Sequence, residues 1–150
     1  MYKLQNLAYD VVVAQVSATN GATITSGQID TRGYDEVAII VHGTTSNAAT
    51  NNPATLRVTE SDDTVLTNFA AVAALVGDGA SGFTIPNSPT STTTAPFVIM
   101  HVKTGPRKRY LTVEISPLTT QTFSVIAAKG RASQAPVNTT SQNVAVAVNG

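Results

Sequence analysis

The clearest pattern of hydrophobic and polar positions in this chain is the alternation in Lys108–Pro117, KRYLTVEISP. Apolar residues occupy every second position, with polar or aromatic residues between them: Leu111, Val113 and Ile115 against Tyr110, Thr112 and Glu114. A period of two places successive side chains on opposite faces of a β-strand, so we expect one face to lie on a core. Pro117 cannot donate a hydrogen bond to a neighbouring strand, and the strand is predicted to end there.

Segments with a similar pattern occur along the whole chain. Five more strands are predicted, with a further short one between residues 22 and 29: Val11–Val16, Glu36–His42, Ala54–Glu60, Pro96–Lys103 and Phe123–Lys129. The turn residues at 104–107 predict a hairpin between 96–103 and 108–117. Seven to eight strands at this spacing predict an all-β fold, a single β-sandwich or barrel-like domain. We place this domain at residues 11–130, with extended arms at 1–10 and 131–150.

Residues 65–76 carry a pattern that two structures would explain. Their apolar residues recur mostly at steps of three and four, which is helical spacing: Leu66, Phe69, Val72, Ala73 and Val76. Thr64 and Thr67 are poor helix formers, and the glycines at 77 and 79 end the pattern. A short helix and an irregular pair of strands are both consistent with it. The segment 77–96 that follows is the longest predicted loop, and loops of this length without structure of their own are usually functional or mobile.

The last predicted strand, Asn143–Val148, has no obvious hairpin partner. Val144, Val146 and Val148 lie on one face and alanines on the other. A lone terminal strand of high β-propensity is disordered, pairs with its own sheet, or joins the sheet edge of a neighbouring molecule. We therefore predict that the terminal arms carry much of the contact between subunits, with these three valines binding a partner.

Composition narrows the class of protein. Of the 150 residues, 42% are hydrophobic, which suffices for a core, but only 12% are charged, roughly half the share of a usual soluble domain. The formal net charge of zero argues against a nucleic-acid binder, and no run has the length of a membrane span. No cysteine is present, which excludes disulfides and thiolate metal sites. The N-terminal sequence lacks the apolar core of a signal peptide, so we expect synthesis in the cytosol without export.

No constellation of catalytic or metal-binding residues stands out. His42 and His101 are the only histidines, and their spacing matches no metal motif, so strand-end positions explain them best. Glu60, Asp62 and Asp63 cluster where a predicted strand ends, and Asp62 and Asp63 are best explained as turn residues that bond their own backbone. Neither a nucleophile elbow nor a Gly-rich phosphate loop followed by Lys is present. We therefore predict no catalytic residue, metal or cofactor, and no enzymatic activity.

The one basic cluster is Arg107, Lys108 and Arg109, with Tyr110 beside it. Three cations are too few for the multi-phosphate footprint of a DNA-binding protein. Two interpretations stay open: a solvated hairpin tip, or a site where these four residues bind an acidic partner surface.

Four blocks together resemble the capsid decoration, or cement, proteins of tailed bacteriophages. The blocks are Gly33–Val37 (GYDEV), Ala54–Asp63 (ATLRVTESDD), Lys108–Tyr110 before TVEISP, and Ala127–Val137 (AAKGRASQAPV). The resemblance covers most of residues 28–137 and excludes both arms. It implies a non-enzymatic homo-oligomer, a dimer or trimer, on the outer surface of the capsid. The implied partner is the major capsid protein, whose neighbouring subunits the oligomer clamps.

Other functional classes remain as alternatives. Another virion component on a β-sandwich, such as a tail-tube or head-fibre base subunit, would also be expected to carry little charge. A carbohydrate-binding or adhesin module is less favoured, because such modules usually present aromatic platforms and the tyrosines here are scattered.

Overall fold

The alternating segments form β-strands that pair into two packed sheets. The computed structural model describes residues 7–19, 21–43, 53–86, 98–118 and 120–130, and the backbone of 146–149. Within these residues there is no α-helix, and the strands are β1 (Ala8–Ala18), β2 (Ile24–Thr25), β3 (Ile29–Asp30), β4 (Glu36–Gly43), β5 (Thr55–Ser61), β6 (Ala70–Val76), β7 (Val98–Lys103), β8 (Tyr110–Ser116), β9 (Gln121–Gly130) and β10 (Val146–Asn149). The predicted all-β, sandwich-like fold is confirmed.

Sheet A has the strand order β1-β9-β4-β7-β10, and sheet B has the order β2-β8-β5-β6, with β3 also paired to β8. Most pairs are antiparallel, and β10 pairs with β7 in parallel. The inner faces of both sheets supply one continuous core. Its largest fully buried side chains are Phe123, Ile29, Ile39, Leu56, Leu75, Met100, Leu111 and Ile115. The central strand β4 buries alternate residues, as period-two patterning requires, whereas β8 also buries Thr112, whose hydroxyl is hydrogen-bonded to that of Thr59.

The connections between strands gather at two opposite ends of the sandwich. Residues 31–35, 62–69 and 104–109 connect strands at one end, where β1 begins and β9 finishes. The described residues 19, 21–23, 53–54, 77–86, 117–118 and 120 belong to the connections at the other end. Because the connections gather at two ends, the sandwich has two end surfaces of different composition.

The predicted hairpin between 96–103 and 108–117 is wrong. β7 lies in sheet A and β8 in sheet B, so residues 104–109 cross from one sheet to the other. The buried residues of the two strands, Val102 and Leu111 among them, therefore meet across the core and not side by side in one sheet. In sheet A the neighbour of β7 is β4, with Val37 opposite Val102.

Of the two structures that the sequence suggested for residues 65–76, the observed one is closer to the strands: an irregular strand follows a short 3-10 turn. Leu66–Asn68 make a single 3-10 turn and Ala70–Val76 form β6, an edge strand of sheet B. Between its pairings at Ala71 and Val76, β6 advances five residues while β5 advances two. This bulge leaves Val72 and Leu75 as the buried residues of β6. They are three positions apart, which is the spacing of apolar residues on one face of a helix.

The terminal segments agree only partly with the predicted arms. β1 begins at Ala8, three residues before the predicted start of the strand domain. β10 pairs with β7 of its own chain, with Val146 opposite Val98 and Asn149 opposite His101. Of the three arrangements predicted for a terminal strand, the structure thus has the one within its own sheet. Residues 1–6 and 131–145 lie outside the described residues.

Candidate interaction surfaces

Charge is confined to one end of the sandwich. Of the charged residues that the structure describes, all except Arg57, Asp78 and Glu114 lie at the end formed by 31–35, 62–69 and 104–109, which we call the charge-rich end. At this end, the basic triplet (residues 107–109) lies close to Asp30 at the end of β3 and to the acidic turn after β5 (residues 62–63). The charges of this end pair largely with one another.

Arg109 holds Asp30 in a two-point contact. Its Nε and Nη2 atoms donate to the two carboxylate oxygens of Asp30 over 3.0 and 2.7 Å. The side chain of Arg109 also lies over the ring of Tyr110, 4.7 Å from its centroid. The guanidinium of Arg109 lowers the pKa of Asp30 from 3.8 to about 2, helped by the backbone N–H of Arg32, while partial desolvation opposes the change. Arg109 therefore has a partner within its own chain.

The rest of the triplet faces the acidic turn. Glu60 accepts a hydrogen bond from the backbone N–H of Lys108 over 3.1 Å and lies 3.8 Å from Nη1 of Arg107. Asp63 accepts from the side chain of Asn68 over 2.8 Å and from the backbone N–H of Val65, and these bonds lower its pKa. The prediction that Asp63 is a turn residue is confirmed by these bonds. Among the described residues, no hydrogen bond of the Lys108 side chain is seen.

The described parts of the four blocks, residues 33–37, 54–63, 108–110 and 127–130, all reach this same end. The ammonium of Lys129 lies 4.9 Å from the ring centroid of Tyr34 and 2.7 Å from Asp10. The backbone N–H of Asp35 donates to the carbonyl oxygen of Gly130 over 3.1 Å, and that of Thr31 to Arg109 over 3.0 Å. These contacts within the chain explain why the described parts of the blocks lie close together. A bound ligand is not needed to explain their position.

The two histidines lie on sheet A and are not brought together. Nδ1 of His101 lies 3.2 Å from Oε1 of Glu36, while its Nε2 is buried without a hydrogen-bond partner in the described part of the chain. His42 is opposite Ser124, further along β4. Within the described residues, no group of three or more His, Asp or Glu side chains is arranged to hold a metal ion.

The opposite end of the sandwich carries almost no charge. Its connections, residues 19–23, 44–54, 77–97 and 117–120, contain a single charged residue in their sequence, Asp78. We call its described residues, 19, 21–23, 53–54, 77–86, 117–118 and 120, the low-charge end. Asp78 uses its carboxylate to accept a hydrogen bond from the N–H of Ile85 over 3.0 Å. Leu118 is 42% exposed there, so the described residues of this end combine a single charge, that of Asp78, with an exposed apolar side chain.

A third surface is the outer face of sheet A near its β1 edge. Tyr9, Val11 and Ile126 are exposed there, and we call these three residues the apolar patch. Val11 lies opposite Ile126, which lies opposite Ile40, so the patch continues a row of apolar residues across the sheet. Sequence patterning missed it, because the register between β1 and β9 decides which residues are neighbours. The one available signal was the apolar character of β1 on both of its faces.

The predicted partner-binding valines give no further surface. Val144 lies outside the described residues, and for Val146 and Val148 the structure describes the backbone in β10. Whether their side chains bind a partner stays a prediction, as does the role predicted for Arg107, Lys108, Arg109 and Tyr110.

In the described part of the chain, no helix is long and apolar enough to cross a membrane. Comparison with known proteins adds no relative: no protein-family model matches the chain, and no curated protein is significantly similar to it.

Proposed function

We propose that this protein is a non-enzymatic virion component, a capsid decoration protein. It binds the outer surface of an assembled bacteriophage head and stabilises the contacts between major capsid subunits. It is made in the host cytoplasm and acts as a homo-oligomer on the capsid. The single observation that carries the proposal is the separation of a charge-rich end from a low-charge end.

The low-charge end is suited to lie against another protein. The buried centres of protein interfaces are depleted of charged residues, because an ion that loses its water without gaining a partner costs several kcal/mol. Within residues 77–86 and 117–118 the one ion is Asp78, and its hydrogen bond from Ile85 reduces that cost. Loops held by a rigid scaffold are also where binding residues concentrate.

The charge-rich end is suited to face water. Asp30 and Arg109 neutralise each other, as do Asp10 and Lys129, so this end offers little net charge to attract an acidic partner. A surface of mixed, paired charges favours solubility. Of the basic triplet, Arg107 and Arg109 already face Glu60 and Asp30 within the chain, so these two arginines have less to offer an acidic partner.

Stabilisation of the shell follows from repetition. A standard protein interface buries about 1,600 Å² in total. A subunit of the shell that is contacted by several copies must break all of these contacts to leave, and linked contacts raise the effective concentration of the rebinding partner. No chemical step is needed for this function.

Co-sedimentation with empty heads of the phage that encodes the protein tests the proposal. We expect the wild-type protein to pellet with the heads at a fixed stoichiometry. Leu118→Asp should weaken binding roughly tenfold or more, because it places an unpaired charge in the interface. Lys108→Ser, the matched control at the charge-rich end, should bind as the wild type does.

Two outcomes would contradict the proposal in different ways. A wild-type protein that stays in the supernatant at every head concentration overturns the function. Weakened binding of Lys108→Ser together with normal binding of Leu118→Asp overturns the orientation and assigns the contact to the charge-rich end. Negative-stain imaging of the purified protein addresses the alternative of a tail-tube subunit, which would form rings or tubes by itself.

A further inference from the structure

The apolar patch is the most exposed group of large hydrophobic side chains on a sheet face. Tyr9 is 57% exposed, Val11 68% and Ile126 37%. All three lie on the outer face of sheet A, because the inner face of β9 is formed by its buried residues, such as Val125 and Ala127. Large hydrophobic residues that adjoin one another in this way mark interaction surfaces far more often than single exposed ones do.

Among the described residues, the charges nearest the patch are paired, and Lys103, which is exposed on the outer face, lies farther away on β7. Asp10 lies next to the patch in sequence and pairs with Lys129 over 2.7 Å. Glu36, further along the outer face, pairs with His101 over 3.2 Å. A neutral apolar surface is expected to match another neutral apolar surface, since charge opposite an apolar group would be left without water or a partner.

The patch places one large side chain next to small ones across the sheet. Tyr9 is opposite Ala128 on β9, which is opposite Ala38 on β4, so a large side chain stands beside two small ones. A two-fold axis would bring Tyr9 of one molecule over the small residues of the other, and the reverse contact would form at the same time. Such self-complementary surfaces are the property of two-fold homodimers.

The edge of sheet A is less suited than its face to make this contact. β1 departs from regular pairing with β9 between Val11 and Val13 and again between Val13 and Val16. Bulges of this kind twist an edge strand away from pairing with strands of other molecules. Association through side chains on the face is therefore favoured over extension of the sheet through its edge.

From these observations we infer that the apolar patch binds a second copy of this chain, forming a two-fold dimer through the outer face of sheet A. Tyr9 of one protomer packs against the partner subunit's Ala128, with Val11 and Ile126 at the centre of the contact. The inference deepens the proposed function, because it names the contact through which the proposed homo-oligomer forms. The low-charge end lies at an end of the sandwich and stays free to bind the shell.

Sedimentation velocity of the purified protein over a concentration series tests the dimer. We expect wild-type protein to dimerise and Val11→Asp to weaken dimerisation roughly thirtyfold or more, the effect of losing a central contact. Val65→Asp is the matched control, because Val65 is 53% exposed in the β5–β6 connection, away from the patch. A wild-type monomer at high concentration, or dimerisation of Val11→Asp at wild-type strength, would overturn the inference.

Disulfide cross-linking gives a second readout that does not depend on weakening the protein. The chain has no cysteine, so single-cysteine variants report on one position each. An oxidised mixture of Tyr9→Cys and Ala128→Cys should give a cross-linked dimer, and a mixture of Tyr9→Cys with Val65→Cys should not. Equal cross-linking in both mixtures would contradict the proposed contact. Neither experiment involves phage heads, so a dimer that fails to bind heads would refute the proposed function alone.

Discussion

The pair of Asp30 and Arg109 joins the start of β8 to the end of β3. These strands are far apart in the sequence, and β3 has only two residues with which to hold its place. The two hydrogen bonds from the guanidinium reinforce the pairing of Asp30 with Tyr110 in the adjacent backbone. At the scale of single residues, the basic triplet thus has a structural role that its sequence alone did not reveal.

This pair predicts a dependence of stability on pH. The folded-state pKa of Asp30 is lowered from 3.8 to about 2, so the pair stabilises the fold above about pH 4, and this is lost as the pH falls toward 2. Both side chains are about two-fifths exposed, and solvent screening limits the effect to about 0.5–1 kcal/mol. Asp30→Asn should lower the free energy of unfolding by that amount at pH 7, in urea titrations.

The difference between Asp30→Asn and the wild type should vanish near pH 2. Asp62→Asn is the control, because no hydrogen bond or ion pair of Asp62 is seen among the described residues, and it should follow the wild type. Parallel unfolding curves of wild type and Asp30→Asn across the whole range from pH 7 to 2 would show that the pair contributes nothing.

At the scale of elements, β6 and the loop after it depend on a close approach that only glycine allows. A Cβ atom on Gly82 would overlap the carbonyl oxygen of Val76. The loop turns back at this point, with the N–H of Asp78 donating to Phe83 over 2.7 Å and Asp78 itself at a φ of 55°. This return packs Ile85 into the core beneath β6.

Gly82→Ala should therefore destabilise the protein by about 1–3 kcal/mol, the usual cost of forcing extra volume into a packed site. Gly105→Ala offers a matched control in the β7–β8 connection, because a Cβ atom added to Gly105 would have no neighbour within 4 Å. The control should stay within about 0.5 kcal/mol of the wild type. Thermal unfolding followed by circular dichroism measures both, and equal melting temperatures for the two variants would refute the close approach.

The elements themselves were predictable where each strand buries one face. β4, β5 and β8 have regular alternation, and the sequence located them to within one or two residues. The pairing of strands was not predictable in the same way, because β7 and β8 have patterns that suit neighbours in one sheet and partners across a core equally well. For β6 the sequence left helix and strand both open, because the bulge of β6 changes the period of its buried residues from two to three.

The candidate surfaces were predictable to a smaller extent. The low charge of the loops at 44–54 and 77–97 is visible in the sequence, but only the topology shows that they leave the strands at the same end. The apolar patch required the register that places Val11 opposite Ile126. The basic triplet was visible in the sequence. The acidic partners of its two arginines, Glu60 for Arg107 and Asp30 for Arg109, lie too far away in sequence to be identified by spacing.

At the scale of the whole molecule, the last strand completes sheet A. β10 pairs with β7 through four residues, from Val146 opposite Val98 to Asn149 opposite His101. Without β10, the backbone N–H and C=O groups on that side of β7 would form an open edge. β7 is mostly apolar, with Val98 and Met100 in the core, and an open apolar edge of this kind invites pairing with other molecules.

Removal of residues 138–150 should therefore lower stability and cause self-association through β7, in addition to the loss of subunit contacts predicted for the C-terminal arm. Light scattering during thermal unfolding should show aggregation at a lower temperature than for the wild type.

Removal of Gly150 alone, which leaves β10 complete, is the control. Since the apolar patch lies at the opposite edge of sheet A, a truncated protein with Val11→Asp should still aggregate, because β7 remains open. Unchanged scattering and oligomer mass in the truncated protein would mean that β10 neither protects the edge of β7 nor links subunits.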